Sequence, residues 1–123
     1  MLALSHEGRV LIPRIARADS FRARFMGLMG RRSIDPDEGL FIPRTSSIHM
    51  LFMRTPIDCV FLAEPDDDGE QKVVALRRRL PPWRGIVWYV RGAHDVLELA
   101  PGAIDRARLV VGDEVRLEAA PAG

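Results

Sequence analysis

His49, Arg54, Asp58 and Cys59 are the residues of this chain best suited to chemistry, because all four fall inside one apolar run, Ile48 to Leu62. Ionisable side chains enter a core only when they are paired or have a task. His49 precedes Asp58 by nine residues, and Pro56 between them can turn the chain back. A carboxylate–imidazole pair acting as a general base is therefore one expectation. A His49–Cys59 pair would instead activate a thiolate. Strand alternation sends Asp58 and Cys59 to opposite faces, so one histidine cannot serve both. The plainer expectation for Asp58 is structural: an ion pair with Arg24, Arg31 or Arg54, or a turn-capping acid satisfied by backbone N–H groups. A lone buried cysteine is ordinarily an inert core residue.

The other constellations are weaker. His6, His49, His94, Asp58, Asp95, Glu98 and Cys59 are metal-ligand types, but they form neither H-E-x-x-H nor C-x-x-C. His94 and Asp95, adjacent on a strand, would point apart, so no metal and no cofactor is expected. Asp66-Asp67-Asp68-Gly69-Glu70 lacks the EF-hand ligand pattern and reads as a solvated hairpin tip. Arg77-Arg78-Arg79, with Arg84 nearby, fits an edge strand protected by charge, and an anion contact is the alternative. Trp83 in a stiff Pro-Pro-Trp loop could rim a pocket or stack on a ligand. Glycine-rich phosphate loops and a nucleophile elbow are absent from the sequence.

These residues must be positioned by a small fold. With 123 residues, 47% of them apolar and 28% charged, the chain reads as a single domain, 1–123. Such a domain buries roughly two thirds of its unfolded surface. The net charge of +1 argues against a dedicated nucleic-acid binder. Seventeen of the eighteen basic residues are arginine, a composition that fits a GC-rich genome and, secondarily, recognition of phosphate or carboxylate. One cysteine excludes an intrachain disulfide. There is no apolar run long enough to span a membrane and no recognisable signal peptide, so the expected location is cytoplasmic.

Short strands are expected at Leu2–Leu4 and Arg9–Ala16 around Glu7-Gly8, at Gly39–Ile42, on both sides of Pro56, at Lys72–Leu80, Ile86–Val90, Asp95–Leu99 and Glu114–Leu117. Phe21, Phe25 and Leu28 make one helical stripe behind an N-cap at Asp19 or Ser20. Pro101–Ala107 can form a second short helix. The expected class is α+β: an antiparallel-rich, β-barrel-like sheet with two short helices.

Four patterns stand in order: Arg24-Phe25-Met26-Gly27-Leu28-Met29-Gly30-Arg31; Gly39-Leu40-Phe41; His49-x-x-x-Met53-Arg54-x-Pro56-Ile57-Asp58-x-x-Phe61; and Val96-Leu97-Glu98-Leu99-x-x-Gly102, followed by Gly112-Asp113. Together they resemble the small bacterial and archaeal family catalogued as domain of unknown function 192, from about Ala18 to Leu117. The resemblance implies a compact β-rich fold and carries no established activity, hence no catalytic residues. The chain departs from the family where Phe52 replaces a frequent Trp and Arg54-Thr55 a frequent Lys-Asn.

The functional expectation is a non-catalytic structural or binding module for a small polar or anionic ligand or a protein partner. Its pocket is expected near Arg24, His49, Arg54 and Asp58, with Trp83 at the rim. The alternative is a hydrolase or lyase using His49 and Asp58 as its catalytic pair. A third expectation is a partner docking on an apolar patch from Trp83 to Val90.

Overall fold

Glu7 and Gly8 both take left-handed backbone angles, φ 52° and 77°, the requirement of a two-residue type I′ turn. They join β1 (Leu2–His6) to β2 (Arg9–Arg17) as a hairpin, with His6 opposite Arg9. The structure is a computed structural model that describes residues 1–18, 34–49, 55–81, 86–87 and 89–120, the side chains at 48, 49, 86 and 87 not among them. The remaining elements are β3 (Glu38–Ile42), β4 (Ile48–His49), β5 (Ile57–Leu62), β6 (Glu70–Leu80), β7 (Ile86–Val87), β8 (Asp95–Leu99), α1 (Ala103–Ala107) and β9 (Glu114–Ala119).

Seven strands close into a barrel in the order β1-β2-β3-β8-β5-β6-β9, with β9 pairing back onto β1. Every pair is antiparallel except β2–β3, where Ile15 lies opposite Gly39 and Ala16 opposite Leu40. β4 and β7 form a separate two-stranded ribbon, with Ile48 opposite Val87. Two backbone bonds continue that pairing: Val90 N–H to Ser46 O at 2.8 Å and Thr45 N–H to His94 O at 2.8 Å.

Alternation along the strands builds two cores. Leu4, Ile12, Ile15, Phe41, Val60, Leu62, Val73, Leu97, Leu99 and Val115 come from all seven strands and pack together with Ile104 of α1, so they fill the barrel. Leu40, Ile42, Ile57, Cys59, Phe61, Ala75 and Val96 come only from β3, β5, β6 and β8. They form an outer core, covered in part by Ala18, Ile34 and Val90. A strand buried on both faces must be apolar at successive positions, which is why all six residues of β5 are buried.

The barrel-like, antiparallel-rich sheet is thus present, as a closed barrel of mixed pairing. The protein is mostly β, and α1 is the one helix among the described residues. It occupies the second of the two expected positions. The other expected helix, on Phe21, Phe25 and Leu28, lies outside the described residues. Of the run expected as one strand, Ile86–Val90, Ile86–Val87 pairs as β7 and the Val90 N–H bonds Ser46 O at 2.8 Å; Tyr89 is exposed, and Trp88 lies outside the described residues.

Gly39 sets how closely β3 approaches its neighbours. A Cβ there would stand 2.6 Å from Leu99 Cδ2 and 3.0 Å from the carbonyl oxygen of Glu98. The second obstacle is backbone within the sheet and cannot rotate away. Gly39→Ala is expected to cost about 1–3 kcal/mol of stability. Urea denaturation measures it; an unchanged midpoint would show that β3 is free to shift.

Candidate functional site

Asp58 is completely buried near the start of β5, at one end of the barrel. Its Oδ1 accepts the N–H of Arg79 at 2.9 Å. Its Oδ2 accepts the N–H groups of Gly102 at 3.1 Å and Ile104 at 3.0 Å. Each donor has lost its ordinary partner for a local reason. Ile57 pairs with Leu80 and Cys59 with Arg77, so β6 carries one extra residue there. That bulge holds Arg79 at φ 50° and turns its N–H out of the ladder. Gly102, at φ 89°, is the N-cap of α1 and has no side chain with which to cap it. Asp58 therefore caps the helix from a distant strand while satisfying the bulge. The carboxylate is filled by backbone donors, one of the structural roles expected from the sequence.

Asp95 does the same work at the opposite end. It is buried; Oδ1 accepts the Arg44 N–H at 2.9 Å and contacts His94 Nδ1 at 3.0 Å. Gln71 Nε2 donates to its Oδ2 at 2.7 Å and to the Ala63 carbonyl at 2.8 Å. His94 and Asp95 do not point apart, as strand alternation had suggested, because β8 begins at Asp95 and His94 lies just before it, outside the strand. Neither Asp95 nor Gln71 stood out in the sequence as structural groups. Acid at the first position of an apolar strand was the available signal.

Glu98 differs from both. It shares a strand face with Val96 and Ala100, which places it in the outer core, and only 8% of it is exposed. Among the described residues no hydrogen bond or ion pair reaches its carboxyl group. Burial pushes its pKa from the ordinary 4.5 up to about 7. The strand register sets Leu40, Glu98, Cys59 and Arg77 in one row across β3, β8, β5 and β6. Cys59 is fully buried; its thiol is pushed up first by burial and then by the neighbouring acids Glu98 and Asp58, against a smaller opposite pull from Arg77. A thiol held protonated in this way is a poor nucleophile. The Arg77 end of the row opens into a groove of about 510 Å³ between β6 and the 109–111 turn, walled by Val74, Ala75, Val90 and Val110.

Of the other expected site residues, Arg24, Arg54 and Trp83 lie outside the described residues. His49 is placed by its backbone in β4, opposite Ile86. Beside the acidic turn, Asp66, Glu70 at the start of β6 and Glu114 at the start of β9 offer carboxylate oxygens within 4.8 Å of one another, the one such group among the described residues. Asp66 is engaged there by the N–H groups of Asp68 and Glu70, and Glu70 faces Arg116 at 3.6 Å. In Arg77–Arg79 the bulge interrupts simple alternation: Arg78 bonds Asp105 at 2.9 Å, while Arg79 supplies its backbone to Asp58.

Two outcomes follow from these environments. Asp58→Ala would strand three buried N–H groups and is expected to cost about 3–5 kcal/mol, with faster amide exchange at Arg79, Gly102 and Ile104. Asp58→Asn keeps one acceptor oxygen and should cost about half as much; equal small losses would show that water replaces the carboxylate. For Glu98, the unfolded chain ionises near 4.5 while the folded protein holds the proton to about 7. The contribution of Glu98 to stability is therefore fully present below about 4.5 and is reduced by about 3 kcal/mol as pH rises through 7. Glu98→Gln should remove this slope in melting temperature against pH; an identical slope in both proteins would contradict the assignment.

Known proteins resemble this chain in sequence and in fold. Residues 3–117 match the model of domain of unknown function 192, described as Uncharacterized ACR. A UPF0127 protein of Thermococcus sibiricus is 36% identical over 124 residues, covering 96% of this chain and 75% of that protein. A solved structure from Sinorhizobium meliloti, named for a proposed role as a transcription regulator, superposes with a TM-score of 0.73 at 25% identity, covering 94% of this chain and 91% of that one. A protein of unknown function from Novosphingobium aromaticivorans has the same fold, with a TM-score of 0.75 at 20% identity over 94% of this chain and 82% of that one. No helix among the described residues is long and apolar enough to cross a membrane. The family match covers nearly all of the chain, which is a member of the DUF192 family.

Proposed function

We propose that this protein is a non-catalytic binding module whose ligand is small, polar and rich in N–H donors. The ligand would be taken up on the outer-core side of β3, β8, β5 and β6, with Glu98 as the group that meets it. The observation that carries this reading is the burial of the Glu98 carboxyl group without a hydrogen bond or ion pair among the described residues. Such a group is costly and is retained where it has a partner to bind. Asp58 and Asp95, equally buried, are fully supplied with donors and have nothing to offer a ligand.

A carboxyl group near its titration midpoint at neutral pH adapts to its ligand. Neutral, it donates one hydrogen bond and accepts another, as an amide requires. Ionised, it pairs with an amine or guanidinium. Arg77, two strands away in the same row and roughly 10 Å off, sits where the groove reaches solvent and would hold a ligand's acceptor end. A sensing domain of this kind would also suit the regulator role proposed for the Sinorhizobium relative, by analogy of fold. The carboxylate–imidazole enzyme gains no support from Asp58, whose oxygens are occupied inside the barrel.

The experiment is a thermal-shift titration with small amides, amines and polyols. A ligand at one hundred times its dissociation constant stabilises by about 2.7 kcal/mol, so a saturable rise of several degrees is expected for at least one amide or amine. Glu98→Ala should abolish the rise and Arg77→Ala should weaken it. No saturable shift from any compound, or a shift that survives Glu98→Ala, would refute the reading.

A further inference from the structure

We infer that a second site, at the α1 end of the barrel and independent of Glu98, binds a small phosphate monoester with an apolar body. A groove of about 480 Å³ lies between the start of β2 and α1, a volume suited to a small ligand. Its charged lining is Arg9, Arg106 and Arg108 against a single acid, Asp37; its apolar wall is Val10, Leu11 and Ala107.

The arginines are not consumed by the fold. Arg9 and Arg108 have no hydrogen bond or ion pair among the described residues. Arg106 makes one contact, Nη1 to the Pro101 carbonyl at 3.3 Å. The neighbouring acids are already taken: Asp35 by Arg14 at 3.3 Å and Asp105 by Arg78 at 2.9 Å. A methyl group at Gly102 would meet Arg106 Nη1 at 2.8 Å and Arg79 Nη2 at 3.5 Å, so two guanidinium groups lie over that glycine side by side. Four arginines without an acid partner among the described residues (Arg9, Arg79, Arg106 and Arg108) lie around one short helix, in a chain whose net charge is only +1, and concentrate positive charge where a counter-anion would relieve it.

Backbone conformation points the same way. Arg108 is the C-cap of α1 in the left-handed region, φ 57°, a position where glycine or asparagine costs less. Accepting an arginine there places a guanidinium on the groove wall. A phosphate dianion is the oxyanion best matched to three guanidinium groups. Exposed Val10, 52% accessible on the other wall, gives an apolar or aromatic ester group its contact.

Calorimetric titration of the whole chain with phenyl phosphate, inorganic phosphate and benzoate tests the inference. Phenyl phosphate should bind at one saturable site, about tenfold more tightly than either of the others, since each probe lacks one half of the recognition. The double variant Arg106→Ala/Arg108→Ala alters exposed side chains and should fold, confirmed by an unchanged circular dichroism spectrum. It should weaken phenyl phosphate at least tenfold, whereas Lys72→Ala, on exposed β6 surface, should not. Glu98→Gln should bind phenyl phosphate as the wild type does, which separates this site from the one proposed above. Three results would each overturn the inference: no saturable binding, equal binding by the double variant, or inorganic phosphate matching phenyl phosphate.

Discussion

Three backbone N–H groups converging on the carboxylate of Asp58 are the interaction on which this architecture turns. A closed barrel must end somewhere, and its end exposes donors that the ladder no longer satisfies. Here those donors come from a bulge in β6 and from the first turn of α1, and one side chain on β5 takes all of them. The cost of burying the acid is offset because both oxygens are hydrogen-bonded. In return α1 is fastened across the barrel mouth, where Ala103 and Ile104 complete the inner core. At the other mouth Asp95 joins Gln71, the Arg44 backbone and His94 by the same logic.

The second constraint is that three of the seven strands, β3, β5 and β8, are buried on both faces. β5 and β8, flanked on each side within the sheet, present one row of side chains to the barrel and another to the outer core. Any polar residue on these strands must find a partner or shift its protonation. Asp58 and Asp95 face inward, toward the barrel mouths, where free backbone donors are available. Glu98 faces outward from the middle of the row, where its cross-strand neighbours are Leu40 and Cys59. Position in the barrel, rather than residue type, thus decides which of three buried acids is structural and which is left to interact with something else.

Much of the scaffold was legible in the sequence because its signals are local. The Glu7-Gly8 turn, the acidic tip before β6, the alternation of Asp95–Leu99 and the helix after Pro101 each announce themselves within a few residues. Parity also placed Asp58 and Cys59 on opposite faces correctly. What stayed hidden is non-local. The parallel pairing of β2 with β3, the closure of β9 onto β1 and the bulge at Arg79 depend on partners far away in the chain. The donors of Asp58 lie 21, 44 and 46 residues distant, so a structural acid could be expected but its partners could not be named. Glu98 sits in an apolar run just as Asp58 does, and its residue type marks it only as a potential metal ligand; nothing local distinguishes a satisfied buried acid from an orphaned one.

The same reasoning ties the structural acid to the surface above it. α1 is a five-residue helix, too short to be stable by itself. Its position rests on the Asp58 bonds and on the burial of Ala103 and Ile104, and it carries Arg106 and Arg108 on its outer side. Arg79, whose backbone N–H is bound by Asp58, brings its guanidinium over Gly102 from the neighbouring strand. The buried carboxylate therefore organises the arginines without touching their guanidinium groups: it fixes the helix and the bulge from which they project. A loss of anion binding on removing Asp58 would report a displaced helix rather than a contact. Only changes at the arginine side chains themselves speak to recognition, because they leave the barrel mouth and its backbone donors as they are.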